Sequence, residues 1–282
     1  MSLSYTELTH ELGRFVEYLR TAKGSAVHTC RSYEADLSLF FTYWQSSAPQ
    51  AFFSDELIEQ YLRYAESKAM HVASIARKVS CFNSLRKYLA ETRGYPADKR
   101  LRRPHVPGHP VVFLDEAALA RLLTLDPKKL NTPQPYRDRA IISVLATTGI
   151  TCSELVNIKI ADISLDAGTL IATGKRSRSL ALSPECIEHI REYLKRTQRN
   201  KASTEDPLFS NPRGGTLTSR TIQRICTILS GHPQVQQVIT PHILRHSYAM
   251  QLLKQGVAPA IIQERLGFKT RASSEKYLLT IQ

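Results

Sequence analysis

A proline- and glycine-rich break constrains this chain more than any other feature. Leu101-Arg-Arg-Pro-His-Val-Pro-Gly-His-Pro110 holds three prolines, one glycine and no apolar periodicity. Proline lacks an amide donor and biases the residue before it toward extended backbone, so neither a helix nor a central strand runs through this stretch. At 282 residues the chain is long enough for two cores. The break therefore predicts a domain over residues 1–100, a linker over 101–112 and a second domain over 113–282.

The first domain reads as helical throughout. Leu12, Phe15, Val16 and Leu19 form one apolar stripe, and Tyr33, Leu37, Phe40, Phe41 and Trp44 another. A third runs through Val72, Ile75, Val79, Phe82, Leu85 and Leu89, with Gly94 placed as its C-cap. The aromatic residues on these stripes are core. The second domain is mixed. Asp115 is placed as an N-cap, with Ala118, Leu119, Leu122 and Leu123 on the buried side of the helix it opens. Ala140–Ala146 is an apolar run suited to a buried helix ending near Gly149. Two short apolar segments, Thr169–Thr173 and Ser179–Leu182, flank a glycine-led basic turn and predict a β-hairpin. Helical patterns resume at Glu185–Arg196, at Ser219–Leu229 and from His242 onward. The expected fold is mainly α, with a small antiparallel sheet in the second domain.

The formal net charge of +13 and a pI near 9.6 favour polyanionic partners, nucleic acid first and an anionic membrane surface second. No apolar run approaches the roughly 20 residues that span a bilayer, and the N-terminus has no signal-peptide core. Five scattered cysteines suggest neither a disulfide framework nor a metal site, so a reducing cytoplasm is expected. The charge is uneven. Residues 1–62 hold four Lys/Arg against eight Asp/Glu, whereas residues 63–103 hold eleven against three. Arg77, Lys78, Arg86 and Lys87 lie off the apolar stripe of their helix and predict a solvent-facing surface that tracks phosphates.

The last forty residues carry the chemistry. His242 and Arg245 are three apart, so both sit on one side of a helix and can address one ligand. Leu266-Gly267 ends a further helix, and Tyr277 follows in a polar setting. Together they make a layout for gripping a phosphate and attacking it with a phenol oxygen.

These segments resemble the tyrosine site-specific recombinases, the family of phage integrases and of enzymes that resolve chromosome dimers. Arg137-Asp-Arg-Ala-Ile141 with Thr148-Gly-Ile-Thr-Cys-Ser-Glu-Leu155 resembles the family's first motif, and Thr173-Gly-Lys175 its lysine turn. Pro241-His-Ile-Leu-Arg-His-Ser-Tyr-Ala249 resembles the second arginine motif, and Leu266-Gly267 through Tyr277 the nucleophile motif. The resemblance covers about residues 113–280. It extends more weakly to an N-terminal helical core-binding domain that clamps the duplex.

It implies Tyr277 as nucleophile, Arg245 and His242 on the scissile phosphate, and Lys175 protonating the departing 5′ oxygen. Glu154 is implied as an acidic support for the site, and Arg176 and Arg178 as hairpin contacts to DNA. No metal or other cofactor is implied, because a phosphotyrosyl ester conserves the energy of the bond it replaces. The implied partner is double-stranded DNA with paired inverted half-sites, bound by a homotetramer.

Two positions depart from that pattern. The arginine normally found between Gly-Leu and Ser-Glu-Leu of the first motif is Thr151, and the histidine-type position after Leu266-Gly267 is Phe268. Phenylalanine can pack against the tyrosine but has no N–H to donate. Threonine offers one neutral hydroxyl in place of a guanidinium fork, and loss of such a donor slows reaction by about 10²–10³. Arg137, Arg139, Arg176 and Arg178 are the candidates to restore the charge. Arg137 and Arg139 lie about three helical turns or more away and are expected to be salt-bridged on their helix, which leaves Arg178 as the better one. Only Leu-Leu-Thr-Ile-Gln follows Tyr277, so assembly through a swapped C-terminal helix is not expected. The expected function is site-specific DNA strand transfer, impaired by Thr151. The alternative is a catalytically silent DNA-binding protein on the same fold, and a basic helical interaction protein without a DNA role is a distant third.

Overall fold

A computed structural model of the chain describes residues 3–97, 99–107, 110–174, 176–198, 203–275 and 277–278. It divides into two compact units, Met1–Gly108 and His109–Gln282.

The first unit is built from α1 (Tyr5–Thr21), α2 (Val27–Ser47), α3 (Asp55–Ser67) and α4 (Val72–Arg93). Local sequence sets the boundaries. Ser4 and Glu7 form a reciprocal capping box on α1, Ser54 caps α3, and Gly94 closes α4 at φ 64°. Phe40 is the hub of the core, with the rings of Phe41, Trp44, Phe53, Tyr61 and Phe82 at 5.0–6.2 Å from its own. Such edge-on and tilted pairs add to burial because the ring quadrupoles are matched.

Two of the four cations expected on a basic surface of α4 are buried instead. Lys78 is 1% exposed and Arg86 is 2% exposed. The Lys78 ammonium donates to Asp36 Oδ1 at 2.9 Å and sits 5.4 Å over the Tyr61 ring. Arg77 grips the same carboxylate with Nε at 2.8 Å and Nη2 at 2.9 Å. Arg86 donates to Asp55 Oδ2 at 2.7 Å and to the Lys99 carbonyl at 2.5 Å. α4 packs against α1, α2 and α3, so the side that periodicity labels polar faces other helices. The signal available in the sequence was Asp36, a carboxylate inside the Tyr33–Leu37–Phe40 apolar stripe. A buried carboxylate requires a cation, which must come from another helix. Lys87 and Arg77 keep about half or more of their side chains in solvent.

The second unit contains α5 (Glu116–Leu123), α6 (Pro135–Thr148), α7 (Cys152–Leu155), α8 (Pro184–Arg196), α9 (Ser219–Ser230), α10 (Pro241–Lys254), α11 (Pro259–Leu266) and α12 (Ala272–Glu275). Between α7 and α8 lies an antiparallel sheet of β1 (Ile163–Ser164), β2 (Thr169–Ala172) and β3 (Arg178–Ala181), in the order β1-β2-β3. The hairpin is as expected; the short edge strand β1 was not anticipated. α6 is the central rod, with every residue from Ala140 to Ala146 buried beneath α5, α8, α9 and α10. Gly149 ends it at φ 64°, where a Cβ would come within 2.4 Å of Leu266 Cδ2 and 2.6 Å of Tyr248 Cδ1. Only glycine lets α10 and α11 close onto that turn.

In the hairpin, Leu170 pairs with Leu180 and Ala172 with Arg178. Leu170, Ala172, Leu180 and Leu182 all face the core. Strand residues two apart share a face, so Arg178 lies on the inward side of β3. The fold is therefore mainly α, a helical N-terminal unit followed by an α+β unit with a small antiparallel sheet.

Candidate functional site

Arg245 is the anchor. Thr240 caps α10, Pro241 occupies its first turn, and the helix carries Arg245 to a site 7% exposed. Its Nη1 donates to the Gly149 carbonyl and its Nη2 to the Leu266 carbonyl, both at 2.5 Å. These acceptors lie at the C-terminal ends of α6 and α11, where carbonyls lack helical partners and carry partial negative charge. The guanidinium carbon also lies 4.7 Å from the Phe268 ring centre. Burial pulls the Arg245 pKa down, Glu154 pushes it up, and Arg178 pulls it down again. Among the described residues its hydrogen bonds run to carbonyls rather than to a carboxylate, so its charge stays available to an anion.

Thr151 is the N-cap of α7 in a capping box with Glu154. Its amide and hydroxyl both donate to Glu154 Oε2, at 2.9 and 2.7 Å. Glu154 Oε1 accepts Arg178 Nη1 at 2.5 Å, and Oε2 accepts Nη2 at 3.3 Å. Burial raises the Glu154 pKa, but the bonds from Arg178 and Thr151 outweigh it and hold the carboxyl below its ordinary value of 4.5. Arg178 Nε donates to the Arg265 carbonyl at 2.7 Å. Arg176 donates to the carbonyls of Phe268 and Lys269.

Tyr277 has no exposed surface and packs among Ala249, Met250, Leu252, Ile262 and Leu266. Phe268 lies against it, with ring centres 6.2 Å apart and planes inclined by 30°. Its hydroxyl is 2.8 Å from His246 Nδ1. Burial pushes the phenol pKa up to about 12, with the Arg245 charge acting the other way. At neutral pH the hydroxyl keeps its proton, and attack requires a group to take it.

The structure thus gathers Arg245, Glu154, Thr151, Arg178, Phe268 and Tyr277. The other expected residues fall as follows. His242 is exposed, with its ring 6.2 Å from that of His246, and it is His246 that meets the Tyr277 hydroxyl. His246 lies one helical turn beyond His242 on the same helix, and that i, i+4 spacing was the signal. Arg137 pairs with Asp138 at 2.7 Å, but Arg139 reaches Glu192 on α8 rather than a partner on its own helix. Lys175 lies outside the described residues. No group of three or more His, Cys, Asp or Glu side chains among the described residues could hold a metal ion. No described helix is long and apolar enough to cross a membrane.

Comparison with known proteins gives the family. Residues 112–280 match the phage integrase family, and residues 12–93 match the phage integrase N-terminal SAM-like domain. The chain belongs to the phage integrase family of tyrosine recombinases, whose chemistry is site-specific recombination. It is 30% identical to tyrosine recombinase XerC of Oceanobacillus iheyensis, over 93% of this chain and 89% of the relative. Tyrosine recombinase XerD of Lacticaseibacillus casei is 27% identical over 93% of this chain and 91% of its own length. Among solved structures, XerA recombinase is 28% identical and aligns over 96% of this chain and 93% of its own, with a TM-score of 0.53. XerH bound to its difH substrate before cleavage shares the fold at 18% identity, with a TM-score of 0.68 over 95% of this chain and 81% of that one.

Proposed function

We propose that this chain breaks and rejoins DNA strands at specific sites through a 3′-phosphotyrosyl bond to Tyr277. The observation that carries this reading is the buried phenol, hydrogen-bonded to His246 in the cluster that α10 and α11 build around Arg245. In the reaction the phenol oxygen bonds to phosphorus as the bond to the 5′ oxygen breaks. His246, unprotonated at Nδ1, takes the phenolic proton. Arg245 stabilises charge developing on the non-bridging oxygens, with His242 donating to the same phosphate. The 5′ oxygen receives a proton, a role the family motif assigns to Lys175. Attack by a 5′ hydroxyl on the phosphotyrosyl ester then rejoins a strand and frees Tyr277 without ATP or metal. The DNA carries paired inverted half-sites, and a homotetramer aligns two duplexes. Arg77, Lys87 and Arg176 are the solvent-reaching cations of the expected DNA contacts, whereas Lys78 and Arg86 are withdrawn from that role.

The test is covalent trapping on a nicked duplex, read on a denaturing gel. The parent is expected to form a protein–DNA adduct and Tyr277→Phe none. Equal behaviour of the two would overturn the reading.

One observation favours a second reading. The Thr151 hydroxyl is bonded to Glu154 and brings no positive charge to the site. A silent DNA-binding protein would then bind its site in a salt-sensitive manner without cleaving it, and Thr151→Arg alone would restore the adduct.

A further inference from the structure

We propose that Arg178 supplies the second cation of the phosphate grip, in place of the arginine that Thr151 does not provide. This rests on the strand-transfer reading above. The other candidates are engaged elsewhere. Arg137 is held by Asp138 and the Ser210 carbonyl, Arg139 by Glu192, and Arg176 by the carbonyls of Phe268 and Lys269. Arg178 alone turns toward the Glu154–Arg245 cluster.

Three features bring it there. The register of β3 puts its side chain on the inward face with Leu180. Glu154 grips both terminal nitrogens, and the same carboxylate is oriented by the Thr151 amide and hydroxyl. Threonine at 151 is therefore part of the arrangement, since it fixes the carboxylate that fixes the relocated guanidinium. Third, Gly267 makes room. A Cβ there would lie 2.9 Å from Arg178 Nη1 and 3.2 Å from Cζ. The charge also reaches its neighbour, because Arg178 is among the groups depressing the Arg245 pKa.

The guanidinium remains able to bind. Its side chain is 9% exposed and borders an open pocket lined also by Arg176, Gly267 and Phe268. Nη2 makes only the 3.3 Å bond to Glu154 among the described residues, leaving an N–H for a phosphate oxygen. Among the described residues Glu154 is bonded to Arg178 while Arg245 is bonded to carbonyls, so the two guanidinium groups with one carboxylate keep a net positive charge.

The experiment compares adduct formation on the nicked duplex by the parent, Arg178→Ala, Arg178→Lys and the Arg178→Ala/Thr151→Arg double variant, with thermal unfolding and DNA binding measured on each. Arg178→Ala is expected to slow adduct formation by about 10²–10³ while the protein stays folded and DNA-bound. Arg178→Lys should keep part of the rate. The double variant should regain at least about tenfold over Arg178→Ala, because charge returns from position 151. A merely structural Arg178 would not be rescued in this way. The proposal fails if Arg178→Ala reacts within about threefold of the parent, or if the folded double variant regains nothing. If the parent itself forms no adduct, the strand-transfer reading falls and this proposal with it; a reactive parent with a reactive Arg178→Ala removes this proposal alone.

Discussion

The N-terminal bundle and the Arg245 site both bury basic side chains, and they satisfy them differently. On α4, Lys78 and Arg86 are each met by a carboxylate, Asp36 and Asp55. Their charge is neutralised and their role is to join helices. In the second unit, Arg245 is met by the carbonyls of Gly149 and Leu266. A carbonyl satisfies the N–H groups without cancelling the charge. The same residue types thus serve as a fastening in one place and as an anion receptor in the other. Between Lys78 and Arg86 on one side and Arg245 on the other, the acceptor makes the difference and the degree of burial does not; Arg178 stands between them, held by Glu154 but with its Nη2 bonded only at 3.3 Å among the described residues.

The comparison breaks if the two sets of charges respond alike to mutation. The largest effect is expected at Asp36. Replacing it with Ala strands the buried Lys78 ammonium and should reduce stability by about 3–5 kcal/mol, measured by denaturant melts. Removing both charges together, as Asp36→Leu/Lys78→Met, should cost far less, since a buried pair of matched charges can be exchanged for apolar packing. Next comes Arg245→Ala, which should slow adduct formation by at least about 10²–10³. Its stability loss should be smaller, about 1–3 kcal/mol for carbonyls left without donors. A stability loss at Arg245 as large as at Asp36, with the adduct rate retained, would erase the distinction.

The smallest effect is confined to alkaline solution. The folded state holds the Tyr277 proton to about pH 12, whereas an unperturbed tyrosine releases it near 10.0. Between those values the unfolded chain binds fewer protons than the folded one, so stability falls as pH rises. Tyr277→Phe should flatten that part of the unfolding curve, followed by circular dichroism. An unchanged slope would mean the phenol is not held as the structure has it.

Much of the local structure was legible in the residues. Asp115, Gly94 and Gly149 sit at the helix ends where they were expected, because caps act within one turn of chain. The apolar stripes marked the cores, whereas Arg178, placed by sequence in the hairpin turn, belongs to β3 and lies on its inward face. The buried charges were less legible. Lys78 and Arg86 lie off the apolar stripe of α4, yet residues of α2 and α3 cover them.

By itself, the sequence determined the helices and their caps, the hairpin, the break between the two units and the family to which the chain belongs. Each of these depends on residues near one another in the chain or on motifs of fixed spacing. The tertiary structure decided the pairings. Lys78 meets Asp36 from 42 residues away, Tyr277 meets His246 from 31, and Arg178 meets Glu154 from 24. Periodicity assigns a side chain to a face of its own element. Only the packing of other elements against that face decides whether it meets water, a carboxylate or a carbonyl, and so whether a cation holds the fold together or remains ready for a phosphate.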